Sequence, residues 1–218
     1  MTVVAIDGPS GSGKSTISRR LAEELNMAYL DTGAMYRAAT WWCINQMVDL
    51  SDHDATAALV QTIPWRISTD PKNPRFIVDD IDITTAIRTT EISAKVSDVA
   101  RNLEVRAWMK DQQRQIIHQS PQGIIAEGRD ITTVVAPDAD VRILLIADEQ
   151  ARLARRAKQL HGTDNGAAMA ATLDQVARRD RDDSTVSNFL EAADGVVTID
   201  STELSLQDTI EAVRNLIV

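Results

Sequence analysis

Apolar residues along the chain follow two periodicities. Continuous runs at Val3-Val4-Ala5-Ile6, Met27 to Leu30, Gly123-Ile124-Ile125-Ala126, Val141 to Ala147 and Val196 to Ile199 lack polar alternation, as strands buried on both faces do. Elsewhere apolar positions recur at helical spacing: Ile17, Leu21, Ala22 and Leu25 within Ser15 to Leu25, and Leu206, Ile210, Val213 and Ile217 within Ser205 to Ile217. A charged segment from about Asp148 to Leu160 and another ending near Asp183 read as helices either side of the turn-rich stretch His161 to Gly166. Five strands alternating with helices predict an α/β fold with a doubly wound parallel sheet.

Residues 32–120 interrupt this alternation. Helices are predicted over 34–47, 51–60, 90–100 and 103–120. Between them Trp65-Arg66-Ile67, Phe76-Ile77-Val78 and Ile81-Asp82-Ile83 read as a small antiparallel insertion around the turn Asp70 to Pro74. Val105, Trp108, Met109, Gln112 and Ile116 form a helical stripe that reads as core. Asp31-Thr32-Gly33 reads as a turn, which places Tyr36 and Arg37 in the first turn of a helix just past a strand end, where open α/β sheets bind ligands.

The first apolar run leads through Asp7 into Gly8-Pro9-Ser10-Gly11-Ser12-Gly13-Lys14-Ser15-Thr16, which fits the phosphate-loop pattern G-x-x-x-x-G-K-[ST] between a strand and a helix. Its glycines let the backbone turn tightly and bring N–H groups up to a polyphosphate. Lys14 adds a mobile charge for the outer phosphates, and the Ser15 hydroxyl suits a hard cation such as Mg2+. The following helix directs its positive end at the anion. Nucleoside triphosphate binding follows; what is done with the nucleotide does not.

Composition narrows the partners. The 218 residues carry a formal net charge of -9, which argues against general nucleic-acid binding, since that mode needs a basic surface. The single Cys43 excludes an internal disulfide and reads as a buried small hydrophobe beside Trp41 and Trp42; His53, His118 and His161 have no ligand spacing, so zinc is not expected. No signal-peptide pattern or membrane-length apolar run is apparent, and a cytoplasmic monomer is the expectation.

Phosphate loops serve switches, motors and kinases. The guanine-reading Asn-Lys-x-Asp of GTPase switches is absent, whereas arginines cluster at strand ends and helix starts: Arg37, Arg106, Arg129, Arg152, Arg155, Arg156 and Arg179. Guanidinium groups grip phosphates bidentately, which suits a site holding a triphosphate beside a second phosphorylated ligand. A phosphate-monoester acceptor, with a second pKa of about 6, is already an anionic nucleophile and needs no general base. Arg152, Arg155 and Arg156 share one helix face. Two readings stand for them: a solvated face paired with Asp148 and Glu149, or lid arginines closing over the transferred phosphoryl group.

The stretches Ala5 to Thr16, Leu30-Asp31-Thr32-Gly33-Ala34-Met35-Tyr36-Arg37 and Gly128-Arg129-Asp130-Ile131-Thr132-Thr133-Val134-Val135 together resemble bacterial cytidylate kinase, and the likeness continues through Arg179-Asp180, Asp183-Ser184 and Asp200-Ser201-Thr202. The resemblance implies a P-loop NTPase fold of the nucleoside monophosphate kinase type. Residues 1–31 and 121–218 would form the core, with a helical lid at about 150–175, and 32–120 an acceptor-binding unit enlarged by the β insertion at about 65–83. It implies transfer of the γ-phosphoryl group from ATP, with Mg2+, to CMP and dCMP. Position by position, Thr32, Tyr36 and Arg37 approach the acceptor, with Arg37 and Arg129 on its phosphate. Ser97, Arg106 and Asp130 read the cytosine edge, and Arg179 and Asp183 contact phosphate or ribose. Helix capping or arginine pairing is the alternative for Asp130 and Asp183.

The chain departs from the family pattern at Val186, where many members have arginine, at Thr132 for glycine, at Leu103 for proline, and at Glu127 for the aspartate of some members. These positions bear on base selectivity, with UMP better tolerated, and leave the phosphate loop intact. A kinase for another small acceptor and a nucleotide-dependent switch are the competing readings.

Overall fold

The computed structural model describes residues 1–217; for Gln159, Leu160, residues 174–179, Asp182 and Asp183 it describes the backbone alone. Strand β1 (Val3–Asp7) leads into helix α1 (Lys14–Leu25), β2 (Ala28–Asp31), α2 (Thr32–Asn45), α3 (His53–Val60) and the short strands β3 (Trp65–Ile67), β4 (Phe76–Val78) and β5 (Ile81–Asp82). Then come α4 (Thr90–Ala100), α5 (Leu103–His118), β6 (Ile124–Gly128), a π turn over Ile131–Val135, β7 (Val141–Ile146), α6 (Glu149–His161), α7 (Gly166–Ser184), β8 (Val197–Asp200) and α8 (Leu206–Arg214).

The main sheet runs β2-β6-β1-β7-β8, all parallel, and β3, β4 and β5 form a separate antiparallel sheet. Because side chains alternate along a strand, β1 feeds two cores. Val4 and Ile6 pack with Ile17, Leu21, Ile143, Ile210 and Val213 on one face, while Ala5 joins Met35, Trp42, Met109 and Ile124 on the other. Each packed face carries helices, which gives the doubly wound architecture expected.

Three local expectations are corrected. There is no turn at residues 31–33: Asp31 ends β2 and caps α2, its Oδ1 accepting from Ala34 N–H at 2.8 Å, so the helix starts two residues early. Along α5 the buried face runs Val105, Met109, Gln113, Ile117; Trp108 and Ile116 pack against it half-buried as expected, whereas Gln113 and not Gln112 is the buried amide. Leu206, expected on the buried face of α8, is exposed, whereas Ile210 and Val213 are buried. Cys43 is buried, and burial pushes its thiol up to about 11, so it packs as a hydrophobe.

Candidate active site

The predicted motifs meet at the carboxyl ends of the strands. Asp7 ends β1, Asp31 ends β2 and Gly128 ends β6, so the segments that follow each of them converge above one edge of the sheet. Between them opens a cavity of about 670 Å³. Ser10 to Ile17 line one end, and Thr32, Tyr36, Arg37, Arg106, Arg129 and Asp130 line another. Arg155 and Arg156 also face this cavity, as does Val186.

At the loop end, α1 starts without a side-chain cap, behind Gly13 at φ 97°. Among the described residues every other α-helix has one, from Asp31, Asp52, Thr89, Asn102, Asp148, Asn165 or Ser205. An uncapped N-terminus pointing into a cavity is an anion site. Lys14 lies along the loop, its Nζ donating to Pro9 O at 2.9 Å.

Beside Ser15 stands Glu127, which sequence reasoning had noted only as a departure. It is buried, accepts from Tyr29 Oη at 2.9 Å, and is hydrogen-bonded by the Ser15 side chain. Burial and then the charge of Asp31 push its carboxyl up to about 7, against Lys14 and the Ser15 and Tyr29 bonds. A hydroxyl beside two mutually repelling carboxylates is a hard-oxygen donor set that a divalent cation would relieve, so these residues fit Mg2+ held partly by nucleotide phosphates.

At the other end, Arg37 is buried on α2, its Nη1 donating to Ser93 Oγ at 2.6 Å and Ile87 O at 3.3 Å. Asp130 and Arg106 form a direct ion pair, and Arg106 Nη1 also donates to Ala100 O at 3.2 Å. The π turn carrying Asp130 is pinned by Asp7, which accepts from Ile131 N–H, Thr132 N–H and the Thr132 hydroxyl at 2.9, 2.8 and 2.7 Å. Thr132, a departure from the family's glycine, thus joins the first strand to the segment that follows Asp130. Asp7 keeps a raised pKa nonetheless, because its burial outweighs those bonds.

Not all predicted residues line the cavity. Gly8 and Pro9 lie behind it, and Ser97 is buried on α4 beside Val96, which does line it. Arg152 is drawn off to the side: its Nη1 pairs with Asp180 and donates to Ser10 O at 3.0 Å. Arg155 bonds Ser201 O and Oγ at 2.6 and 3.0 Å and Ser12 O at 3.4 Å. Of the two readings of this helix face, pairing with Asp148 and Glu149 does not hold for these two arginines: they reach across to the phosphate loop and its neighbours instead. The side chains of Arg179 and Asp183 lie outside the described residues.

Two further residues were missed. Phe189 is fully buried with the Arg129 guanidinium 4.2 Å above its ring. Asp180, on α7, accepts from Ser10 N–H at 3.1 Å and pairs with Arg129 at 3.0 Å as well as with Arg152. Burial works against its ionisation, but Arg129, the Ser10 amide and Arg152 together hold its carboxyl below the ordinary value. Among the described residues no helix is long and apolar enough to cross a membrane.

Comparison with known proteins agrees with this arrangement. The family model described as cytidylate kinase matches residues 4–218. Cytidylate kinase of Cutibacterium acnes is 46% identical over 216 residues, covering 99% of this chain and 95% of that protein. Cytidylate kinase of Streptomyces avermitilis is 43% identical over 216 residues, covering 99% and 92%. Among solved structures, an uncharacterized protein from Eubacterium ventriosum superposes with a TM-score of 0.51 at 12% identity, over 100% of this chain and 98% of that one, a likeness of fold alone. With a phosphate loop at one end of the cavity, arginines at the other and a family match spanning nearly every residue, the chain belongs to the cytidylate kinase family.

Proposed function

We propose that the chain transfers the γ-phosphoryl group of ATP to CMP, and to dCMP, giving CDP or dCDP and ADP. The observation that carries this reading is the single cavity with an uncapped helix start at one end and the Asp130–Arg106 pair at the other, so that donor and acceptor phosphates meet between them. Residues 1–31 and 121–218 act as the core, 32–120 as the acceptor unit, and the α6–α7 hairpin as the lid.

Cytosine presents an amino donor beside a ring nitrogen and a carbonyl acceptor. Asp130 accepts from the amino group and Arg106 donates to the acceptors; uracil reverses the first of these and leaves a buried carboxylate facing a carbonyl. Ser97, Thr32 and Tyr36 complete the acceptor pocket, and Arg179 and Asp183 serve its phosphate or ribose. Arg37 and Arg129 grip the acceptor phosphate, which attacks as a dianion without a general base. Loop amides of residues 8–16 cradle the donor phosphates. Lys14 follows the charge that develops on the transferred group, and Arg152, Arg155 and Arg156 flank it. Ser15, with Glu127 and Asp31 behind it, holds Mg2+, which when bound neutralises phosphate charge.

The test is ADP release from ATP with CMP, dCMP, UMP, AMP or no acceptor, for the native chain and Arg106→Ala. CMP and dCMP should drive turnover and the variant should lose the preference. Equal release without acceptor would overturn the kinase reading, and faster turnover with UMP would overturn the assigned base contacts.

A further inference from the structure

Asp180 gathers more donors than a structural carboxylate needs. Its side chain is 13% exposed, and its two oxygens take one main-chain N–H and two guanidinium groups. The donors come from three separate segments: Ser10 from the phosphate loop, Arg129 from just past β6, and Arg152 from α6. Each arginine has a second anchor on the loop, Arg129 to Gly8 O at 3.4 Å and Arg152 to Ser10 O at 3.0 Å. Phe189 sets the plane of Arg129 from below. The main chain of α6 also rests on the loop, since a Cβ on Gly11 would lie 2.5 Å from Arg152 O.

We infer that Asp180 is a positioning residue for the phosphoryl transfer: by bridging Arg129, which lines the cavity, to Arg152, which lies beside it against the phosphate loop, it fixes the separation and tilt of the two guanidinium groups. The inference rests on the reading of those two arginines as phosphate ligands. The bridge has an electrostatic consequence. A carboxylate between two cations lowers their attraction for the ground-state phosphates while holding them where the transition state needs them. Two guanidinium groups without it repel each other and lose a common anchor.

Removing the charge should therefore separate binding from turnover. In Asp180→Asn, which keeps the shape, kcat should fall by about tenfold to a hundredfold, the scale set by displacing a positioned group by an ångström, while KM for ATP stays level or drops. A carboxylate that served only to anchor α7 would lower the melting temperature and leave kcat of the folded protein unchanged, and that result would overturn the inference. The decisive comparison is a cycle of Asp180→Asn, Arg152→Ala and the double variant. Asp180→Asn should cost several-fold less in kcat once Arg152 is gone, because only its hold on Arg129 is then left to lose; full additivity overturns it. If Asp180→Asn does not accumulate as folded protein, Asp180→Glu, which keeps the charge one methylene out of place, carries the same expectation. Should Arg152→Ala and Arg129→Ala both retain native activity, the reading of the arginines fails instead, and with it the role for Asp180. Impaired arginine variants beside a fully active Asp180→Asn sink the positioning role alone.

Discussion

Gly11 and Arg152 touch through their main chains: a methyl group on Gly11 would sit 2.5 Å from the carbonyl oxygen of Arg152, and Gly11 has φ 79°. The glycine therefore admits a helix as well as a polyphosphate. Gly11→Ala should destabilise the fold by about 2 kcal/mol or more, since the left-handed conformation alone costs roughly 1–2 kcal/mol and the clash adds to it. Thermal unfolding without nucleotide checks this. An unchanged midpoint would mean that the loop glycine matters to the phosphates alone.

Asp130→Asn alters the Asp130–Arg106 pair, proposed to read the base, without changing its shape. Asparagine can turn an N–H₂ toward the carbonyl of uracil, so the preference for CMP over UMP in kcat/KM should fall by about tenfold to a hundredfold, the worth of one buried hydrogen bond left unmade. Parallel rates on the two acceptors decide it, and an unaltered ratio would remove Asp130 from base recognition.

Phe189→Leu keeps an apolar side chain beneath Arg129 and removes the ring face. A desolvated cation–π contact is worth about 1–2 kcal/mol, so KM for CMP should rise by roughly fivefold or more with a smaller change in KM for ATP. A rise confined to ATP would place Arg129 on the donor side.

Glu127→Gln removes the charge next to Ser15 and keeps the hydrogen bond from Tyr29. The magnesium concentration giving half-maximal rate should rise by about tenfold to a hundredfold, the usual cost of losing a supporting ligand partner. An unshifted magnesium titration would leave Glu127 with a packing role only.

The buried carboxylates make opposite contributions to stability with pH. Asp7 holds its proton more tightly in the fold than in the unfolded chain, so stability falls as pH rises from the ordinary aspartate range through its raised value, and is level above it. Thr132→Val strips a donor from the ionised form, which should raise that value further and lower the plateau above it by about 1–2 kcal/mol. Asp180 is lowered, so its contribution is present above the ordinary aspartate value and is lost as pH falls through its folded one; Asp180→Asn should flatten that acid limb. Urea midpoints measured across pH test both, and a Thr132→Val deficit that is the same at every pH would contradict the first.

The strands could be read in advance because each is an uninterrupted apolar run that only burial on both faces explains, and the loop because its glycines and lysine serve one chemistry at one spacing. Arg106 stood out in the arginine set, but its role beside Asp130 came only from the family resemblance, and the structure brings the two together although they lie on α5 and the turn after β6. Phe189 had no comparable signal, and Asp180 figured only within the Arg179-Asp180 likeness, with no role attached. Asp180 meets Ser10 across 170 positions of sequence, and one aspartate in Arg179-Asp180-Arg181-Asp182-Asp183 looks like the next until the helix docks. Thr132 looked like a loss of glycine and proved to be a gained hydrogen bond. The shifted face of α5 has a simpler cause: Val105, Met109, Gln113 and Ile117 are each four apart, so the buried face follows that ridge, which slants across the helix.

β1 lies at the centre of the sheet, yet both of its neighbours come from the second half of the chain, Val3 pairing with Ile124 and Val4 with Val141. On the ribosome the first strand made must wait, unpaired on both edges, while the whole acceptor unit is synthesised. Nearly all the pairing it eventually makes is non-local, which slows closure and leaves an apolar strand available to wrong partners in the meantime. The nascent chain is thus exposed to wrong pairing until residue 124 and its neighbours emerge, and the strand at risk is the one that leads into the phosphate loop.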